Sequence, residues 1–407
     1  MQPLNNRIRN MQQPNFSNAG DKTNHKLSQP NGTKHVALLL NKTLQKHPIA
    51  AIVFTWTAVQ LISWAIFGIV TELEGLKYIH AADYLLQNGD FPETRYWFYS
   101  VTTGLIALSK LLHTGYWPVF FIQLIYSLTA HLFFYKSLKS LSPGEDIAPL
   151  LTTLLLCCIL PYQRWNLTLY TESVFYSSVL LFFASCILVQ KISFKSSMIQ
   201  LLLLLLVILS RPLGILILTP WIVYLFLRSP ARYRIYFLIL IAAGGIILLT
   251  VSNLILSSIG DWNILAPFQE GYIICDLSSS DTIRLHSNPE GTPLQQLFSY
   301  LQQHPGHFFR MSLKKTAAFF LLTRPYYSTF HNLALYLLAA LLYIPVLIVF
   351  LKKKFTTLSI TALSIVLIVW AAVILQCDDY HSRFQLMLIP VFLFLGIFTL
   401  LQSRAHK

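Results

Sequence analysis

From residue 48 onward the chain is a succession of long apolar runs separated by short polar and basic stretches. Runs of about 17–25 apolar residues match a helix crossing a hydrocarbon core of about 30 Å. Continuous stretches such as Leu201–Leu209 and Tyr236–Leu249 lack the alternation of a membrane β-barrel. The pattern predicts an all-α polytopic membrane protein with about ten spans. They run Pro48–Val70, Tyr116–Tyr135, Ile147–Tyr162, Ser173–Val189, Met198–Ser210, Leu213–Leu227, Tyr236–Leu256, Asn332–Leu351, Thr356–Gln376 and Leu386–Gln402. The fifth and sixth are short and share the interruption Ser210-Arg211-Pro212, so one long broken helix is the alternative.

Basic clusters arbitrate, because short cytoplasmic loops carry an excess of Lys and Arg. Ten spans with both termini cytoplasmic put Lys136 and Lys139, Lys191 and Lys195, Arg228 to Arg234, Lys352 to Lys354 and the C-terminal tail on one side. Most acids then fall on the other side, among them Glu72, Glu74, Glu172, Asp378 and Asp379. Acids contribute little to orientation, so their segregation calls for another cause, for which function is a candidate. The expected organisation is a disordered cytoplasmic tail over 1–46, an N-terminal transmembrane module over 47–256, an outside loop over 257–331, and C-terminal helices over 332–407.

The first outside loop, 71–115, holds a stretch over 96–113 that Ser100, Ser109, Lys110 and His113 interrupt. It reads as an interfacial helix rather than a span. In the fourth outside loop Thr292 is placed to cap a helix through Gln296, Pro305 breaks it, and a second amphipathic helix runs toward Leu322. Arg310, Lys314 and Lys315 on that second helix are the one basic cluster outside, suited to meeting lipid phosphates.

Composition sharpens this picture: 55% of the 407 residues are hydrophobic and only 11% charged, with mean hydropathy +0.57. The net charge of +14 is spread over loop clusters and forms no basic stripe, so nucleic acid is not an expected partner. Cys157, Cys158 and Cys186 lie in apolar runs, whereas Cys275 and Cys377 both fall outside, where an oxidising compartment permits a disulfide.

Four constellations could carry chemistry. Glu74, Tyr78 and Ala82 share one face of a helix that Gly89 is placed to end. An acid there either complements the helix dipole or acts chemically. Thr171-Glu172 opens the fourth span, where Thr171 capping the helix and Glu172 acting at the membrane surface are both open readings. Arg211 stands between two apolar segments and calls for an acid, Glu172 or Glu74, or an anionic ligand. Asp378, Asp379, His381 and Arg383 precede the last span. Asp378 alone reads as a solvated turn, and the Asp-Asp-x-His spacing matches no standard zinc pattern.

The order of these motifs resembles the GT-C superfamily of membrane glycosyltransferases, near the dolichyl-phosphate-mannose protein mannosyltransferases and aminoarabinose transferase-like enzymes. The resemblance rests on acid-x3-Tyr-x3-Ala-x2-Leu-Leu-x2-Gly after span one, Thr-Glu-Ser-x-Phe opening a span, Arg-Pro-x-Gly, and Arg-Phe-x3-Leu-x-Pro opening the last span. It covers about residues 48–402. It implies a GT-C-like fold and transfer of a sugar from a polyprenyl-phosphate donor to a hydroxyl acceptor on a glycan, lipid or protein, on the non-cytoplasmic face. The family's catalytic acid matches Glu74, with Glu72 two residues before it; a plain Asp-x-Asp is absent and leaves the choice of base open. The family's second acid matches Glu172. A developing lipid-phosphate charge needs cations, for which Arg383 and Arg211 are the candidates, with Lys314 and Lys315 behind them; Tyr78, Asp379 and His381 are candidate substrate contacts. No cofactor is required, though a divalent metal is compatible. The competing class is a flippase, polymerase or non-catalytic subunit handling lipid-linked glycans. The short outside loops favour a bacterial inner-membrane enzyme.

Overall fold

The computed structural model describes residues 46–189, 191–239, 241–242, 245, 265–275, 277, 291–352 and 355–405. The tail before Lys46, most of the seventh expected span and the beginning of the fourth outside loop lie outside these residues.

All regular elements among the described residues are helical. Helices α1 (Pro48–Phe67), α4 (Trp117–Leu141), α11 (Thr329–Leu351) and α12 (Thr357–Leu375) are each long and apolar enough to cross a membrane. Two bent pairs reach that length together: α5 (Ile147–Cys158) with Leu160–Leu167, bent by 68°, and Tyr380–Leu386 with α13 (Ile389–Ser403), bent by 47°. Shorter apolar helices are α6 (Glu172–Leu188), α7 (Phe194–Ser210) and the pair Pro212–Arg228, whose α-helical part is α8 (Leu218–Arg228). Among the described residues, four to six helices thus meet the length test where the sequence suggested ten spans.

The outward faces explain the hydropathy. On α1 the inward stripe is Ile52, Trp56, Gln60 and Ser63, while Phe54 and Trp64 stay exposed. Polar groups turn in, where Gln60 Nε2 donates to Gln163 Oε1 at 3.1 Å, and large apolar groups turn out. That distribution suits lipid as the surrounding solvent, and the chain is a membrane protein. Phe330, 82% exposed, and Leu351, 74% exposed, repeat it on α11.

The middle of the bundle is α6, buried along nearly its whole length. Phe175, Phe182 and Phe183 on it meet Phe392, Phe394 and Phe398 of α13 in one core cluster. Close packing fixes two glycines. A Cβ on Gly396 would stand 2.9 Å from Pro345 Cβ and Val346 N of α11. A Cβ on Gly214 would overlap the backbone of Val207, so the chain can turn back after Arg211 only with glycine there.

Two pieces lie between spans. Helix α2 (Glu74–Asn88) ends at Gly89, left-handed as expected, whose N–H returns to Leu85 O at 2.9 Å. Its neighbour α3 (Ser100–Leu111) has 12 residues, too few to cross. Helix α9 (Pro293–Gln303) has a capping box between Thr292 and Gln295, one residue earlier than expected, and Gln296 instead donates to Gly291 O. Pro305 starts α10 (Pro305–Leu321), as its missing N–H allows.

Candidate active site

Backbone pairing first brings the acids together. Beyond α1, Val70 N donates to Leu167 O at 3.0 Å and Leu169 N donates to Val70 O at 2.8 Å. This clamp sets the start of α2 beside the start of α6. Glu74 N then donates to Tyr170 Oη at 3.3 Å. Glu74 and Glu172 both lie in the first turn of their helices, where each complements the helix dipole, but no side-chain cap bond closes either helix and the Thr171 hydroxyl finds no partner among the described residues.

A second clamp brings the cations. Asp378 N donates to Ile273 O at 2.9 Å, Cys275 N donates to Asp378 O at 2.8 Å, and Cys275 is disulfide-bonded to Cys377. His381 and Ser382 both adopt left-handed backbone, φ 58° and 55°. Non-glycine residues hold such conformations only when the surroundings impose them. Here Tyr327 Oη and His381 Nδ1 lie 2.7 Å apart, Ser382 Oγ donates to Leu322 O, and Tyr176 Oη donates to Arg383 O at 2.8 Å. The result aims Arg383 back at Glu74. Leu73, immediately before Glu74, also has a positive φ, 56°.

Two arginines and two carboxylates close a ring of alternating charge. Arg383 Nη1 donates to Glu172 Oε1 at 2.8 Å, and Arg383 Nη2 donates to Asp379 Oδ1 at 2.7 Å. Arg211 Nη2 donates to Asp379 Oδ2 at 2.7 Å, and Arg211 Nη1 returns to Glu172 Oε1. Glu74 stands outside the ring and accepts from Arg383 through Oε2. Its Oε1 accepts from Tyr78 Oη at 2.8 Å. The ring is formally neutral, and Glu74 adds a negative charge at its edge, within electrostatic reach of Lys77 on the same helix.

Exposure separates the three carboxylates. The Glu74 side chain is 27% exposed, Asp379 10% and Glu172 0%. Glu74 is therefore the most accessible of the three. Burial would raise its carboxyl, but the Arg383 and Arg211 charges, with hydrogen bonds from Arg383 and Tyr78, outweigh burial and hold it below its ordinary value. Two polar atoms in the cluster, Glu172 Oε2 and Arg383 Nε, find no hydrogen-bond partner among the described residues.

Behind the ring, Arg324 Nη2 donates to Asp378 Oδ2 at 2.5 Å and to Asp379 O at 3.1 Å. Both Arg324 and Asp378 are fully buried. The solvated turn expected at Asp378 is thus corrected: a charge that is 0% exposed has left water and must be paired.

Of the sequence candidates, Glu74, Tyr78, Glu172, Arg211, Asp379 and Arg383 converge. Glu72 is exposed and its carboxylate joins none of these ion pairs. His381 sits beside the cluster, its ring 6.3 Å from that of Trp165. Lys315 points elsewhere: its Nζ donates to Ile374 O and Gln376 O at the end of α12, over the Phe268 ring. Lys314 lines a separate cavity with Arg324. Tyr170, Tyr176 and Arg324 escaped the sequence reading. Arg324-Pro325 repeats the Arg211-Pro212 pattern of an arginine and proline ending an apolar helix, a signal that could have marked it. No three His, Cys, Asp or Glu side chains among the described residues are grouped to hold a metal ion; Arg383 occupies the centre of the three carboxylates, where a cation would otherwise sit.

No family model, no curated protein and no solved structure matches this chain.

Proposed function

We propose that the protein is a membrane glycosyltransferase that moves a sugar from a polyprenyl-phosphate donor to a hydroxyl acceptor. The observation that carries the reading is the accessible Glu74 carboxylate bound to Arg383 at the edge of a buried, self-neutral ring. Base and anion-binding cation stand side by side, as transfer away from a phosphate requires. The acceptor oxygen attacks the anomeric carbon and its proton passes to Glu74. The bond from that carbon to the phosphate oxygen breaks, and the electron pair leaves with the lipid phosphate toward Arg383. Glu172, without exposure, acts as a positioning residue that holds Arg383 and Arg211 in place.

The GT-C-like arrangement, ten spans with both termini cytoplasmic, and a bacterial inner-membrane location are parts of the same proposal. The Cys275–Cys377 disulfide supports a site facing an oxidising compartment. The test is transfer of radiolabel from a panel of polyprenyl-phosphate sugars in reconstituted membranes. Label should move with the parent and fall by about 10²–10⁴ with Glu74→Gln. Equal transfer by both would remove Glu74 from the chemistry; none from any donor with folded protein would overturn the function.

A further inference from the structure

The turn that carries the first clamp also carries a further arginine. After α5 the chain bends by 68°, Pro161 restarts it, and Arg164–Leu167 form a 3₁₀ turn that ends on the residue paired with Val70. Trp165 on this turn stands between two guanidinium groups: the Arg383 carbon lies 5.8 Å from its ring centroid and the Arg164 carbon 4.5 Å. Arg164 also covers the Phe67 ring at 5.7 Å, and Phe67, at the end of α1, is 43% exposed. Contact with a ring occupies the face of a guanidinium and leaves the N–H groups in its plane able to donate. Arg164 lies within electrostatic reach of both Arg383 and Glu172. Glu172 is engaged by the ring, and none of the ion pairs among the described residues includes Arg164. Two buried donors in the same contact, Trp165 Nε1 and Arg383 Nε, find no acceptor among the described residues. Trp165 is only 2% exposed, and an indole N–H can do nothing but donate. A buried donor without an acceptor is costly, so a group that brings acceptor oxygens gains here.

We propose that Arg164 is a second phosphate-binding residue of the site, and that the lipid phosphate of the donor lodges between Arg164 and Arg383 beside Trp165. The inference rests on the proposed function and names a residue that grips its donor. A phosphate presents several acceptor oxygens, enough for donors that approach from more than one side, and arginine matches its geometry. Arg164 joins Trp165 to the exposed Phe67 of α1, whose outward face suits lipid. The polyprenyl tail can therefore stay in the bilayer along α1 while the head group meets Arg164. A phosphate held there competes with Glu74 for Arg383.

The full chain in detergent, titrated with a fluorescent polyprenyl monophosphate and with the matching polyprenol, tests the site by binding alone. The parent should bind the monophosphate saturably and more tightly than the polyprenol. Arg164→Gln should weaken the monophosphate about tenfold, with polyprenol affinity and melting temperature unchanged, and Arg164→Lys should restore most of the loss. Phosphatidylglycerol or inorganic phosphate should displace the probe only at much higher concentration than unlabelled monophosphate. In the transfer assay Arg164→Gln should raise KM for the donor and leave KM for the acceptor unchanged. Unchanged monophosphate affinity in Arg164→Gln overturns the inference, even where the parent transfers sugar. So does equal displacement by phosphatidylglycerol or inorganic phosphate. A loss shared by Arg164→Lys and joined by a lower melting temperature also overturns it, making Arg164 a prop for Trp165. Charge-dependent binding at Arg164 in a protein that transfers no sugar keeps the phosphate site and overturns only the proposed function.

Discussion

Arg383 reaches Glu74 across 309 positions of sequence and ties it to a ring of charges that is complete without it. The two residues play unequal parts: Arg383 is held by Asp379 and Glu172, whereas Glu74 hangs from one guanidinium nitrogen and one tyrosine. Under the proposed function, a phosphate arriving at Arg383 would compete with Glu74 rather than with the buried ring.

Tyr78→Phe removes the hydrogen bond to Glu74 Oε1 while leaving the buried ring of the side chain in place. Hydrogen bonds to charged groups are worth about 1.5–3 kcal/mol. Transfer should fall about tenfold, and the acid limb of kcat/KM should move to higher pH, because this bond favours the ionised carboxylate. A pH–rate profile identical to the parent's would count against Glu74 as base.

The parent's pH dependence follows from the same balance. Burial is outweighed by Arg383 and Arg211, so Glu74 stays ionised below its ordinary value of 4.5. A base works ionised; transfer should therefore hold steady as pH falls toward 4.5 and decline only beneath it. Arg383→Gln removes the leading opposing charge, leaves burial in command, and should shift the limb upward. Titration of transfer against pH for both proteins checks the sign.

Glu172→Ala leaves Arg211 and Arg383 without their shared acceptor in a dry site. Breaking a buried pair costs about 3–5 kcal/mol. A clear fall in thermal stability is expected, unlike for Glu74→Gln, whose side chain is partly open. A melting temperature for Glu172→Ala equal to the parent's would contradict the ring.

Asp378 and Arg324 invite a double-mutant cycle. Asp378→Asn or Arg324→Met alone strands one buried partner and should destabilise by about 3–5 kcal/mol, while the pair replaced together by apolar residues should recover most of the loss. Additive losses would mean that the two act separately.

The disulfide closes a loop of 102 residues between Cys275 and Cys377. Cross-links of that span are worth about 4.7 kcal/mol in the chain-entropy account. Replacing both cysteines by serine should lower Tm and loosen the Asp378–Arg383 segment, lowering transfer with it. Comparison of Tm with and without reductant checks the same point in the parent.

The sequence by itself determined the helical class, the apolar surface, the end of α2 at Gly89 and the break at Pro305. Each depends on residues within one or two helical turns, where periodicity and the special backbone of glycine and proline act. It also singled out Glu74, Glu172, Arg211, Asp379 and Arg383 as charges out of place beside apolar runs. Only the tertiary structure decided that these five share one ring and its edge, that Asp378 is buried against Arg324, and that Lys315 turns away to the end of α12. Ion pairing and burial belong to residues brought together from distant positions, and the clamps that do this, Val70 with Leu167 and Cys275 with Cys377, are contacts that no local pattern encodes.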